Sequence, residues 1–285
     1  MRKILNRLII FFVGLPLLLS LIIFFPQQNH LLLNIVITVF SVLGAVEFRN
    51  ILVHKNLVIS IPEAVMLGAI SPVAWILAVN FGITENIVPA AFVLGALWLL
   101  VSRVFTNHGK LDSCINSITA GFAVLIYPGV FAAWIIRMAL FPQASFVILI
   151  FFLVALLNDS LAWFTGVLFG KNNRGFVAAS PNKSIAGFTG GLVFSVISGI
   201  TAALLFPDAF SSTLMHSTLA GALLGLVAGL AATLGDLAES AIKRSAGVKD
   251  SGSFVIGRGG ALDSIDSVAL AAPVYYLMYQ FLFIT

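Results

Sequence analysis

The chain has 285 residues, 60% of them hydrophobic and only 9% charged, with a mean hydropathy of +1.10. Soluble domains carry roughly 25% charged residues, so this composition excludes a soluble globular domain and predicts an integral membrane protein. The net charge of +4 then speaks to membrane topology and not to nucleic acid, and the single cysteine, Cys114, excludes an internal disulfide.

A helix needs roughly 20 apolar residues to cross the hydrocarbon core. Nine stretches qualify, approximately Leu8–Phe25, Leu31–Val46, Val58–Phe81, Ile87–Val101, Ile118–Leu140, Phe146–Phe169, Ile185–Phe206, Leu214–Leu234 and Val268–Ile284. Arg2, Lys3 and Arg7 precede the first, and Pro26-Gln-Gln-Asn after it lacks the small-residue pattern of a signal-peptidase site, so it reads as a retained span. The second and fourth stretches are short, and Asn158-Asp-Ser160 interrupts the sixth. The fold expected is all-α: one polytopic membrane domain, 1–285, with about nine transmembrane helices. Apolar spans fill 1–140, and catalytic spans with their cytoplasmic loops fill 146–284.

Basic residues test this layout, because short cytoplasmic loops are enriched in Lys and Arg. With the N-terminus inside, 14 of the 15 fall on one side, and Arg137 alone lies near the outer end of a span. The opposite loops, 26–30, 82–86, 141–145 and 207–216, contain none. Glycines recur on one face of the later spans, at Gly187 and Gly191 and at Gly221, Gly225 and Gly229, a pattern expected of close helix packing.

Three polar groups are expected on the basic side. The first is Asn158, Asp159 and Ser160, followed by Gly170-Lys-Asn-Asn-Arg-Gly175 and Ser180-Pro-Asn-Lys-Ser184. The second joins Asp236 and Glu239 to Ser240, Lys243 and Arg244; the third comprises Lys249, Asp250, Arg258, Gly259, Gly260, Asp263 and Asp266. An ionisable group at mid-membrane costs about 2.5–3.5 kcal/mol on insertion scales, so such residues face a bundle interior or a wet cavity. For Asp159 or Asp236 alone an ion pair is an equal explanation, with Asp236 or Glu239 balanced by Lys243 about one or two turns away. Several carboxylates together repel unless a cation lies among them, and Mg²⁺ takes one or two carboxylates plus substrate phosphates. Interleaved Lys, Arg, Gly and Ser supply phosphate donors, which suits phosphoryl or nucleotidyl transfer. No Walker P-loop or G-x-G-x-x-G is present, and His30, His54, His108 and His216 are scattered away from these groups.

The stretch S-A-I-K-R-S-A-G-V-K-D-S-G-S-F-V-I-G-R-G-G-A-L-D-S-I-D, Ser240 to Asp266, resembles the signature of the phosphatidate cytidylyltransferases, or CDP-diglyceride synthases. Upstream, L-G-D-L-A-E-S, Leu234 to Ser240, is similar to that family's segment, as are D-S-L-A-W from Asp159, F-G-K from Phe169 and S-P-N-K-S from Ser180. The matching positions cover roughly 159–266.

The resemblance implies transfer of a cytidylyl group from CTP to phosphatidate, giving CDP-diacylglycerol and pyrophosphate in phospholipid synthesis. It implies Mg²⁺, with a second cation left open, held by Asp236 and Asp263 with Asp159 and Asp266 as further candidates. Catalytic roles would fall to Asp236, Asp263, Lys243 and Lys249, and substrate binding to Ser180, Lys183, Ser184, Ser240, Arg244, Arg258, Gly259 and Gly260. The partners implied are CTP, phosphatidate and the bilayer, with homodimerisation left open. The expected location is a bacterial inner membrane with the active site cytoplasmic. Three positions depart from the family pattern: Arg258 replaces a His, Ser264 an Arg, and Ala186 a common Glu. Two accounts of Arg258 and Ser264 stay open: a guanidinium moved six residues along the loop, or a paralogue with an altered substrate, such as another lipid-phosphate acceptor, or weakened activity. A non-catalytic lipid-binding or transport protein is the alternative outside enzymes.

Overall fold

The computed structural model describes residues 13–105, 108–255 and 259–284. These residues are mainly helical, with eight helices long and apolar enough to cross a membrane and two isolated β-bridges, Arg174 with Ser184 and Val255 with Gly259. The protein is an all-α polytopic membrane protein. The first expected span is represented by the shorter helix α1, Leu15–Phe24. The start of that span, with Arg2, Lys3 and Arg7, lies outside the described residues. Contacts divide the chain into two compact units, 1–137 with 245–265, and 138–244 with 266–285.

The first unit contains α2 (Gln27–Val53), α3 (Ile61–Phe81), α4 (Ile87–Val104) and the span built from α5 (Cys114–Val124) and α6 (Ala132–Arg137). Helix α2 continues past the predicted end at Val46, because its polar residues there have partners: Arg49 Nε donates to Ile59 O at 2.8 Å, and Glu47 is engaged as described below. Between α5 and α6 the helix widens into a π-turn, Leu125–Phe131, around Pro128, which has no N–H to donate. Ser41 Oγ lies 2.7 Å from both Gly68 O and Pro128 O, a hydroxyl donor placed where three spans meet. Glu63, in the first turn of α3, pairs with Arg103 of α4 at 2.6 Å. Arg137, the exception in the charge pattern, has its guanidinium carbon 4.9 Å from the ring centroids of Trp75 and Trp134 and lies 3.9 Å from Glu85. Ring faces and a carboxylate thus compensate this cation.

The second unit is built from α7 (Ala144–Phe169), α8 (Ile185–Leu205), α9 (Ser217–Ser245) and most of α10 (Leu262–Tyr279). Asn158-Asp-Ser160 does not interrupt α7. Asn158 Nδ2 donates to Ser195 Oγ (2.9 Å) and Gly229 O (3.2 Å), and its Oδ1 accepts from Thr233 Oγ1 at 3.1 Å, so a buried amide ties α7, α8 and α9 together. The glycine faces pack as expected. A Cβ at Gly225 would lie 2.1 Å from Ser195 O, and one at Gly221 2.3 Å from Gly199 O, so α8 and α9 meet backbone to backbone. On the other side, a Cβ at Gly191 would lie 2.9 Å from Asn158 O of α7. Tyr275 and Tyr279 of α10 are buried and donate to Val147 O (3.0 Å) and Ala209 O (2.5 Å).

Helix ends differ from the hydropathy reading. Helix α9 runs eleven residues past Leu234 to Ser245, and α10 begins at Leu262 instead of Val268. Asp236, Glu239, Ser240, Lys243, Arg244, Asp263 and Asp266 therefore sit on helices, not in a loop. Charged residues lower hydropathy without opposing helix formation, and a Glu239–Lys243 pair at i, i+4 supports the extension.

Candidate active site

Residues singled out by the sequence fall into two groups, each formed within one unit. In the second unit, Asp236 of α9 is ion-paired with Lys183, which immediately precedes α8. The two side chains retain 20% and 30% of their accessible surface, so a ligand can reach both. The loop carrying Lys183 is ordered locally. Gly175 N donates to Lys183 O (3.3 Å), Ile185 N to Asn173 O (3.0 Å), and Lys183 N to Ser180 O across a Ser180-Pro-Asn-Lys turn (3.1 Å). Ser184, expected to help enclose a nucleotide, is buried, and its Oγ accepts from Gly187 N at 3.0 Å as the N-cap of α8. Gly166 and Gly170 make room for it, since a Cβ at Gly170 would lie 2.3 Å from that oxygen. The cap fixes where Lys183, the residue before it, enters the helix.

Lys243 pairs with Glu239 at 2.5 Å along α9, and both are buried. Of the two carboxylates weighed as its partner, Glu239 holds it, and Asp236 is engaged by Lys183. Gly235, next to Asp236, packs against α10: a Cβ there would lie 2.5 Å from Asp266 O. This glycine brings the L-G-D segment against Asp266 and Ser267. Asp266 is buried, and its Oδ1 accepts from Ser267 N (2.5 Å) and Ser267 Oγ (3.1 Å). Asp159 is half-buried on α7, Ser240 is half-buried and Arg244 exposed on α9.

In the first unit, Asp263 occupies the first turn of α10 and is 8% exposed. Its Oδ2 accepts from Ser251 N (2.9 Å) and Gly260 N (2.7 Å), while its own N–H donates to Ser251 Oγ (3.2 Å). Gly259 has φ +116°, and a Cβ there would lie 2.3 Å from Asp263 Oδ2, so both conformation and space demand glycine. Ser264, where the family pattern has Arg, donates to Gly260 O at 3.0 Å. Lys249 and Asp250 are exposed, and Arg258 lies outside the described residues.

Glu47 is the residue that sequence reasoning missed. Its Oε1 accepts from Ala261 N (3.0 Å), and its Oε2 from Leu262 N (2.8 Å) and Ser251 Oγ (3.1 Å). An anion against a helix N-terminus contributes roughly 0.3–2 kcal/mol. Gly252 and Gly260 accommodate the same carboxylate, as a Cβ at either would lie within 2.3 Å of it. The only available signal was a carboxylate directly after an apolar run; its partners lie more than 200 residues away.

Among the described residues, no group of three or more His, Cys, Asp or Glu side chains gathers as a self-sufficient metal site. The oxygen donors present, with Asp236 accessible and countered by one lysine, fit Mg²⁺, which needs only one or two carboxylates beside phosphate oxygens and water.

Residues 5–282 match the model of the cytidylyltransferase family. The chain belongs to that family. It is 32% identical to YnbB, an uncharacterized Escherichia coli protein, over 59% of this chain and 54% of that protein. To the phosphatidate cytidylyltransferase of Aquifex aeolicus it is 32% identical over 58% of each chain. It thus spans little more than half the length of these relatives. A Staphylococcus aureus phosphatidate cytidylyltransferase is 27% identical over 92% of this chain and 95% of its own length.

Proposed function

We propose that the chain is a phosphatidate cytidylyltransferase, forming CDP-diacylglycerol from CTP and phosphatidate. The observation that carries the reading is the Lys183–Asp236 pair, which joins two motif segments 53 residues apart and leaves both groups accessible. A phosphate-binding cation and a metal-binding carboxylate neutralise each other until substrate and metal give each its own partner. The proposed reaction is one in-line displacement: an oxygen of the phosphatidate phosphate bonds to the α-phosphorus of CTP, and the bond to the β-phosphate oxygen breaks, releasing pyrophosphate. Lys183, Lys243, Arg244, Lys249 and Arg258 position the phosphates, Ser180 and Ser240 add hydroxyl donors, and the glycine-rich turn at 259–260 offers its backbone. Asp236 and Asp263 are the proposed Mg²⁺ ligands, with Asp159 and Asp266 as supports. When bound, Mg²⁺ neutralises triphosphate charge and that of the departing pyrophosphate.

The Aquifex and Staphylococcus relatives carry this activity in their names, and the ordered S-P-N-K, L-G-D and D-S-I-D segments support it here. The same reading puts the lysine- and arginine-rich loops, and the nucleotide, on the cytoplasmic face of a bacterial inner membrane. Purified full-length protein offered phosphatidate or polyprenyl phosphate with CTP should make CDP-lipid mainly from phosphatidate; equal or reversed preference contradicts the acceptor assignment. In a Cys114→Ser background, Ser253→Cys should react with an impermeant maleimide only in inverted vesicles, and reaction in right-side-out vesicles contradicts the orientation.

A further inference from the structure

We infer that Glu47, on α2, is the positioning residue that sets Asp263 for the reaction, an inference that rests on the cytidylyltransferase reading. The connection is a closed set of bonds. Glu47 holds the N–H groups of Ala261 and Leu262 and the Ser251 hydroxyl; Ser251 Oγ in turn accepts from Asp263 N, and Ser251 N donates to Asp263 Oδ2. One carboxylate therefore fixes both the start of the helix that carries Asp263 and the loop residue that orients its side chain. Gly252 and Gly260 are shaped to this group: a Cβ at Gly252 would lie 2.3 Å from Glu47 Oε1, and one at Gly260 2.1 Å from Oε2. A carboxylate is required here because it accepts only. The donors from Ala261, Leu262 and Ser251 are N–H or O–H groups, and an amide would aim its own N–H₂ at one side of them.

Glu47→Gln keeps the shape and removes one side of the acceptor pair; Glu47→Asp keeps the charge and falls one methylene short. Full-length protein in mixed micelles, with CTP and phosphatidate at varied Mg²⁺, should show kcat about tenfold lower and half-saturating Mg²⁺ about fivefold higher for Glu47→Gln. Glu47→Asp should recover part of both, and the thermal midpoint should stay close to that of the parent. Hydrogen exchange should quicken in the peptide spanning 251–263 of Glu47→Gln and not elsewhere. Parent values for kcat and Mg²⁺ half-saturation, or unchanged exchange in that peptide, would overturn the role of Glu47. So would a drop in thermal midpoint with activity per folded molecule unchanged. Should the parent protein itself make no CDP-lipid, the activity fails, while the exchange result still decides whether Glu47 orders the segment.

Discussion

Asp236 and Asp263 are held in opposite ways. Asp263 is buried and fixed by two backbone N–H donors, so its direction is preset. Asp236 meets a lysine ammonium on a loop, a partner that a phosphate can draw away. Preset donors and exchangeable ones are both needed where positioning and charge neutralisation provide the rate. Asp236→Asn and Asp263→Asn should each lower turnover at least about 100-fold, a barrier change of about 2.7 kcal/mol, with helix content by circular dichroism unchanged. Substantial turnover in both variants would contradict the metal assignment. Both aspartates stood out in the sequence through the family resemblance, whose motif fixes them at long, irregular distances from Lys243, Lys249 and the Gly-Gly pair. Glu47 was not legible. Its meaning comes from donors at 251, 261 and 262, and no local pattern links those positions to it.

Hydropathy located the helices well and their ends poorly, for one physical reason. Transfer to hydrocarbon counts charge as a break, whereas helix hydrogen bonding continues wherever charged side chains find partners. Hence α2 runs on to Val53, α9 to Ser245, and α10 starts at Leu262, each beyond the apolar window. The same reason explains why Asn158 leaves α7 intact. Its amide is satisfied by α8 and α9, and the glycines at 191, 221, 225 and 229 allow the close approach this requires. Asn158→Leu removes those bonds but leaves Ser195 and Thr233 their own carbonyl acceptors, Gly191 O and Gly229 O. It should therefore cost only about 1–2 kcal/mol. Thermal unfolding in detergent should show a midpoint lower by a few degrees; an unchanged midpoint would mean that the amide does not join the helices.

The chain as a whole separates two tasks. Apolar spans with few charges provide a membrane frame, and the charged residues gather at helix ends and in the loops at 171–183 and 246–255. Segment 245–265 belongs to the same unit as the N-terminal spans, which composition could not reveal because the motif itself lies entirely in the C-terminal half. The measurement that decides the function is incorporation of CTP labelled at its α-phosphate into chloroform-soluble lipid by purified protein with phosphatidate. Label should reach the lipid only when Mg²⁺ is present, with one pyrophosphate released per labelled lipid. Lipid that stays unlabelled under these conditions, or labelling indifferent to Mg²⁺ removal, would contradict a metal-dependent cytidylyl transfer.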